Sequence, residues 1–323
     1  MVNDVILRSR IRLARNIKDY PFPPVLNSAC RKEIIEKVIS ATAELGFTNA
    51  DDINDKTNAY VLSEENLISR EFASEKEEHA LLIKDNTYIM VCEEDHLRIQ
   101  TFSDGLNLSE AGKTAHEVAS NLSKKLNFAY DNELGYLTRC PTNLGTAMRA
   151  SVMMFLPALT ITKRMGEIKS QLEKIGMTIR GMYGEGSSAD AYMYQISNRL
   201  SLGLCEEDIF KKTETVAKKI EEDELTTRSA VLEGNRDKLT DKIMRSLGIL
   251  RYAHTITSKE FLDCYAYVRL GISMGIINDI ELKTLDKLLF SAMPAHILKT
   301  YKDAANDANE RDKLRAQIIK TVI

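Results

Sequence analysis

Hydrophobic and polar residues alternate with a period of two at the start of this chain. Val5, Leu7, Ile11 and Leu13 fall on one side and Arg8, Arg10 and Arg12 on the other, which predicts a half-buried strand over 4–14. Similar alternation predicts strands over 59–63, 80–91 and 97–102, interleaved with helices near 29–45 and 109–127. Thr142 and Asn143 are N-cap types, so a helix is expected to start there and to run through Ala150, Ser151, Val152, Met153 and Met154. Another helix is expected over 163–175, then a strand from Thr178 to Met182. Tyr192 to Leu202 reads as the last sheet element, with a helical reading also open. Beyond Glu206 the spacing is helical throughout, and Glu221, Glu222, Asp223 and Glu224 are expected inside a long exposed helix. Thr257 and Glu260 form a capping box for the next helix. The pattern predicts an α+β fold: an antiparallel sheet flanked by helices over 1–227, then an all-helical domain over 228–323.

The chemistry sits in the polar positions. A strand that shows Arg8, Arg10 and Arg12 on one face repels itself unless an anion lies opposite, and arginine grips phosphate oxygens with a planar fork. Ile89, Val91, Leu97 and Ile99 bracket the acidic turn Glu93-Glu94-Asp95-His96, which reads equally as a plain hairpin tip. Arg180 to Ser188 is a glycine-rich loop with one arginine and one glutamate, by itself a weak phosphate signal. Cys140 precedes the expected helix, whose N-terminal dipole would favour its thiolate; a capped helix with a buried cysteine is the plainer reading. Together these groups outline one reaction. Arg10, Arg12, Arg98, Arg149 and Arg180 suit a nucleoside triphosphate with its Mg2+, held by charge. Glu94 and Glu185 suit an acceptor that is itself a planar cation. A guanidinium, with a pKa above roughly 12, is a poor nucleophile until a carboxylate takes its proton. Phosphoryl transfer from ATP to a guanidino nitrogen is the chemistry these residues imply.

Composition narrows the alternatives. The chain has 323 residues, enough for two domains, and its 44% hydrophobic content supplies a core. A net charge of −3 leaves no basic surplus for nucleic acid. With neither a signal peptide nor an apolar run of about 18 residues, the expectation is a soluble, cytoplasmic protein without a membrane segment. The cysteines at 30, 92, 140, 205 and 264 are scattered and odd in number, which reads as reduced thiols. The histidines are scattered too, and no metal-ligand spacing is present.

The blocks resemble the guanidino (phosphagen) kinases and, within them, the bacterial branch of McsB-type protein-arginine kinases. The likeness runs from Val5 to about Asp312. Ser9 to Asn16 resembles the first nucleotide strand and Glu93 to Gln100 the acidic turn, with Glu94 matching a catalytic carboxylate. Cys140 to Thr146 resembles the cysteine turn. Arg149, Ala150, Ser151, Val152 and Met153 match a nucleotide-lining segment. Arg180, Gly181, Met182, Tyr183 and Gly184 resemble the last nucleotide loop, where Glu185 matches the second carboxylate. The resemblance thus implies ATP contacts for Ser9, Arg10, Ile11 and Arg12 and for Arg98 as well, and catalytic roles for Glu94, Glu185 and Cys140. Arg311, Asp312, Arg315 and Ala316 resemble an allosteric phosphoarginine motif, its two arginines one helical turn apart. The arginine strand begins within ten residues of Met1, so the helical domain that covers the acceptor in phosphagen kinases is expected to be missing. That favours arginine on a protein over free arginine. The implied partners are an McsA-type activator, a CtsR-type heat-shock repressor and a ClpC–ClpP protease, with the kinase a homodimer or larger. Departures from the branch are Arg8 for serine, Cys92 for asparagine, Asn66 for a nucleotide-contacting histidine and Ser188 for glutamate. A kinase of a free guanidino compound and a catalytically silent phosphoarginine-binding regulator are the alternatives.

Overall fold

The computed structural model describes residues 4–50, 53, 55–182, 190–302 and 307–323. Its frame is an eight-stranded antiparallel sheet built from β1 (Ile6–Arg15), β2 (Thr48–Asn49), β3 (Ala80–Lys84), β4 (Thr87–Val91), β5 (Leu97–Asp104), β8 (Met148–Phe155), β9 (Met177–Gly181) and β10 (Met193–Asn198). The spatial order is β2-β3-β4-β5-β1-β8-β10-β9, so the arginine strand β1 lies in the middle, between β5 and β8. A two-stranded hairpin of β6 (Tyr130–Asp131) and β7 (Gly135–Tyr136) stands apart from it.

The period-two pattern fixes which face of each strand is covered. Ile11 and Leu13, Ile99, Ala150, Val152 and Met154, Ile179 and Ile196 enter one core. They meet Ile34 and Val38 of α1 (Ser28–Ala43), Leu108, Ala115 and Leu122 of α4 (Leu108–Ser123), and Ile168 and Leu172 of α6 (Met165–Lys174). Each fully buried Ile or Leu contributes about 1.5–3 kcal/mol, which sets the register of the central strands firmly. The opposite face keeps Arg10, Arg12, Arg98, Gln100, Arg149, Gln195 and Arg180, because their positions alternate with the core set.

Four expectations change on folding. The run after Cys140 is the strand β8; the only helical turn there is the three-residue 3-10 turn Pro141–Asn143. Arg149, Ser151 and Met153 alternate with Ala150, Val152 and Met154, and pairing with β1 and β10 overrides the helix propensity of Ala and Met. Residues 59–63 belong to the helix α2 (Lys56–Glu64), whose start is fixed by Asp55 accepting from the Thr57 N–H. In β1 the pairing slips between Ile6 and Arg8, so Ile6 takes the core position and Leu7 packs into the second core. Glu224 is 0% exposed, far from the solvated acidic stretch expected over 221–224. Its carboxylate accepts from the N–H groups of Ala158 and Leu159 at the start of α5 (Pro157–Ile161) and from Arg228 Nε at 2.8 Å.

The helical part begins with α7 (Glu206–Tyr252), which breaks at Asn235, where φ is −148° and ψ 42°. It continues through α8 (Ser258–Ser273), α9 (Leu282–Ser291), α10 (Pro294–Tyr301) and α11 (Ala308–Val322). Thr257 caps α8 by accepting from the Glu260 N–H, as its capping-box spacing predicts. Ile243, Leu247, Phe261, Tyr265 and Leu285 form a second core with Met153, Phe155, Met182 and Met193 of the sheet. The helices therefore sit directly against one end of the arginine-bearing face. Among the described residues no helix is long and apolar enough to cross a membrane.

Candidate functional site

The uncovered part of that face is the floor of a cleft of about 660 Å³. Arg10, Arg12, Arg98, Arg149, Arg180 and Met182 all line it. Arg12 and Arg149 are direct cross-strand partners, as are Arg12 and Gln100 on the other side. Like charges placed opposite one another destabilise a sheet, so the arrangement calls for an anion. The electrostatics say the same. Burial, then Arg8, Arg98 and Arg149, push the Arg10 guanidinium down to about 9. Arg12 is driven well below the ordinary arginine range by burial and by Arg10, Arg149 and Arg98, with Glu93 opposing.

One wall is the segment after α2. Asn66 adopts φ 58° and ends that helix: its N–H donates to the Ser63 carbonyl, and the Leu67 N–H donates to the Leu62 carbonyl at 2.9 Å. This is a Schellman cap, which asparagine fills more readily than other side chains with a Cβ. The same conformation aims Asn66 Oδ1 at Arg10 Nη1, 3.3 Å away. Arg10 Nε also donates to the Ser151 hydroxyl at 3.4 Å, and Gln195 Nε2 donates to that oxygen at 2.6 Å. These partners are neutral and, among the described residues, leave the charge of Arg10 uncompensated. Ser69 caps the short helix α3 (Arg70–Ala73) and donates its hydroxyl to Glu93.

The other wall is the acidic turn. Arg98 Nη1 donates to Glu93 Oε1 at 2.6 Å and Nη2 to Glu94 Oε2 at 3.2 Å. Asn16 ties the turn down: its Oδ1 accepts the His96 N–H at 2.8 Å and its Nδ2 donates to Asp95 Oδ1 at 2.7 Å. His96 Nδ1 accepts from the Ile17 N–H, so the ring proton lies on Nε2 and points at the Pro21 carbonyl, 2.9 Å away. Burial lowers the His96 pKa, which favours the neutral ring. The Arg139 N–H donates to Asp95 Oδ1 at 2.9 Å, which joins the acidic turn to the cysteine turn.

Cys140 itself stands beside the cleft lining, not in it. Its Sγ lies 3.0 Å from the Thr142 hydroxyl. With β8 in place of a helix, only a three-residue 3-10 turn follows this thiol, which removes the long-helix dipole on which its activation was expected to rest. Ile11, Ala150 and Val152 point into the core and offer a ligand only backbone atoms, while Ser9 donates to the Gly105 carbonyl at 2.8 Å. Met153 packs in the second core, and Gly181 closes β9. Tyr183, Gly184, Glu185 and Ser188 lie outside the described residues. Sequence reasoning passed over Ser69, Arg70, Glu93, Gln100, Arg139 and Gln195, all of which line the cleft. Glu93 and Gln100 had a signal, as neighbours of Glu94 and of Arg98 two positions on; Ser69 and Arg70 lie on an aperiodic stretch and had none.

The C-terminal motif is split by burial. Arg315 is 1% exposed, donating to the Ala292 carbonyl at 2.8 Å and the Ile256 carbonyl at 2.7 Å and pairing with Asp312. Ala316 is buried with it, while Arg311 is only partly buried. Cys92, in the left-handed region at φ 63°, is buried and its thiol is pushed up to about 11, which makes it an inert part of the core.

Residues 27–227 match the family model described as the ATP:guanido phosphotransferase C-terminal catalytic domain, and residues 236–323 match that of the protein-arginine kinase McsB C-terminal domain. The protein-arginine kinase of Halothermothrix orenii is 40% identical over 98% of this chain and 93% of its own length. That of Caldanaerobacter subterraneus subsp. tengcongensis is 41% identical over 98% and 96%. Among solved structures, the duplicated taurocyamine kinase from Schistosoma mansoni with bound transition state analog components aligns with a TM-score of 0.61 and 22% identity. The alignment covers 86% of this chain and 48% of that one, so this chain spans about half of its length. A lombricine kinase aligns with a TM-score of 0.59 and 23% identity over 71% and 69%. These two likenesses are of fold. The two family models and the near full-length relatives go further: the chain belongs to the ATP:guanido phosphotransferase family, among its protein-arginine kinases.

Proposed function

We propose that this chain transfers the γ-phosphoryl group of ATP to the guanidino group of arginine side chains on other proteins. The observation that carries the reading is the crowd of guanidinium groups at Arg10, Arg12, Arg98 and Arg149 on the cleft floor, with Glu93 and Glu94 at its edge paired to Arg98. A triphosphate supplies the kind of anionic charge that such a floor attracts. Arg10, Arg12, Arg98, Arg149 and Arg180 hold the phosphates, and the segments Ser9–Arg12, Arg149–Met153 and Arg180–Met182 line the nucleotide, with Tyr183 and Gly184 assigned to it by the resemblance alone. Mg2+ enters with the nucleotide and neutralises charge on its phosphates.

Glu94, at the carboxylate edge, and Glu185, by the role the family resemblance gives it, accept N–H groups of the incoming guanidinium and fix its plane. One carboxylate takes a proton from the attacking nitrogen. The nitrogen lone pair forms the N–P bond as the bond from the γ-phosphorus to the bridging oxygen breaks, and ADP leaves with that electron pair. Cys140 lies next to this edge and adds a further electron-rich group near the cation. Residues 1–227 are assigned to catalysis and 228–323 to sensing phosphoarginine, with Arg311 and Asp312 outermost and Arg315 and Ala316 setting the helix from within. The family implies an McsA-type activator, a CtsR-type repressor, ClpC–ClpP as the consumer of the marked proteins, a cytoplasmic setting and a homodimer or larger assembly.

The test offers Mg-ATP with an unfolded arginine-rich protein or with free arginine and looks for phosphate that is acid-labile and alkali-stable. Label on protein alone, absent in Glu94→Ala, is expected. Label on free arginine alone would make the chain a small-guanidine kinase. No label on either, with phosphoarginine binding retained, would make it a regulator.

A further inference from the structure

The rim beside the cysteine turn carries apolar side chains that neither the nucleotide nor the guanidinium uses. Tyr130, Leu134, Leu200, Leu202 and Leu204 range from 40% exposed at Leu204 to 58% at Tyr130. They sit on two segments that are packed together. The Gly145 N–H donates to the Leu134 carbonyl at 2.8 Å, the Gly145 carbonyl accepts from Tyr136, and the Ser201 hydroxyl donates to the Leu144 carbonyl at 2.9 Å. Gly145 has φ 93°, and a Cβ there would come within 2.7 Å of the Ser201 carbonyl oxygen and 2.8 Å of Leu202 Cα. Glycine alone allows this approach, and it sets Leu134 and Leu202 on either side of the joint.

The ridge is also propped from below. The Arg15 guanidinium stacks 3.5 Å from the centroid of the Tyr136 ring, and Tyr136 meets Tyr130 edge-on at 5.2 Å. Such support keeps apolar side chains exposed in place where collapse would hide them. Both ends of the ridge run into the cleft. One continues to Arg139, bonded to the acidic turn at Asp95, and the other to Ser197; both residues line the cleft. Through the Arg139–Asp95 bond this rim adjoins the acidic turn that carries Glu94, so it lies beside a polypeptide whose arginine enters there.

We infer that the leucine ridge is the docking surface for the polypeptide that carries the acceptor arginine. It takes an extended segment with apolar side chains flanking that arginine. Folded proteins hide such side chains, so the ridge selects arginines in unfolded chain. The inference rests on the kinase reading and adds to it how the protein substrate is chosen.

Two peptides with one arginine each test it, one flanked by leucine and valine and the other by serine and glycine. The unmodified protein is expected to phosphorylate the apolar peptide about tenfold more efficiently, through KM, since seating one or two partly buried side chains is worth about 1–2 kcal/mol. The triple variant Leu134→Ser, Leu200→Ser, Leu202→Ser should lose that preference, keep its rate on the polar peptide and keep its mass in solution. Equal efficiency on the two peptides with the unmodified protein would overturn the inference while leaving the kinase reading intact. So would a triple variant that keeps the preference. A triple variant of lower mass would make the ridge a contact between copies of this chain. Label on neither peptide would sink the kinase reading, and the ridge with it.

Discussion

Two groups of buried arginines in this molecule have opposite electrostatic fates. In the cleft, Arg10 and Arg12 face other arginines, with Glu93 only a minor counterweight at Arg12, and both guanidinium groups are pushed down from their ordinary range. In the helical part, Arg228 lies between Asp4 and Glu224, and Arg269 between Asp286, Tyr265 and the Asp4 carbonyl. Arg269 is held above the ordinary range despite its burial, by Tyr265 and Asp286. The residue type is the same and the desolvation is similar. What differs is whether the counter-charge is part of the chain. Where it is, the arginine fixes helices to the sheet; where the described residues supply too little of it, the fold stores repulsion that an anionic ligand relieves.

Replacing Arg12 with Met should therefore separate function from stability. We expect catalytic efficiency with ATP to fall by about 10³-fold, the size seen when one preorganised cation or donor is removed. The thermal midpoint without ligand should hold or rise, because a repelling charge is gone. ATP should raise that midpoint in the unmodified protein and barely in the variant. A clear loss of ligand-free stability would show that Arg12 belongs with the paired class. Arg228→Met is the converse. It strands Glu224, which is wholly buried and keeps only the Ala158 and Leu159 N–H groups. Chemical denaturation should register a loss of about 3 kcal/mol. An unchanged unfolding midpoint would break the comparison from the structural side.

The two regions meet where α2 touches α10. Glu64, at the end of α2, accepts the Ala295 N–H at the start of α10 with both oxygens, at 2.9 and 3.1 Å. Burial nevertheless raises its pKa to about 7, against the opposing pull of the Ala295 and His296 N–H groups. A raised carboxyl pKa means that the folded state holds the proton more tightly than the unfolded chain. The folded state therefore loses stability as pH rises from about 4.5 to 7 and no further above that. His296, lowered mainly by burial, acts in the opposite sense on acidification, so only a difference between proteins isolates Glu64. Glu64→Gln should be the more stable protein by on the order of 1–2 kcal/mol at pH 8, with the gap closing by pH 5. A gap that stays constant with pH would mean that Glu64 keeps an ordinary pKa.

Much of the cleft floor could be read in the sequence because it rests on short-range periodicity. Arg10 and Arg12 alternate with Ser9, Ile11 and Leu13 whatever the strand pairs with; Arg8 shares the period but stacks over Phe102 outside the cleft. The β8 residues Arg149, Ser151 and Met153 obey the same rule. Their Ala and Met neighbours also suit a helix, and only pairing with β1 and β10 decides the matter. The 59–63 run failed in the other direction, since Tyr60 and Val61 favour strands while Asp55 caps a helix. The wall made by Asn66 and Ser69 was hidden for a different reason. Their partners Arg10 and Glu93 lie 56 and 24 residues away, and no local pattern encodes such a meeting. Arg315 shows the same limit. Its spacing from Arg311 promises a shared surface, and only the packing of Ala292 and Ile256 shows that it faces inward.

Asn66 and Lys163 offer the finest comparison, because they occupy the same backbone position with different duties. Lys163, at φ 61°, ends α5 with its N–H on the Thr160 carbonyl, and Arg164 reaches back to Leu159 at 2.9 Å. This is the same Schellman geometry as at Asn66. Lysine has no special tolerance for the left-handed region, so Lys163→Gly should stabilise the fold by about 0.5–1 kcal/mol and leave catalysis alone. Asn66→Gly should leave stability within about 0.5 kcal/mol, since glycine suits the cap equally well. It also deletes the Oδ1 that faces Arg10, and KM for ATP should change by about three- to fivefold, the worth of one hydrogen bond to a charged group partly replaced by water. An unaltered KM would reduce Asn66 to a helix cap like Lys163, and the uncompensated charge of Arg10 would then be settled by the nucleotide alone.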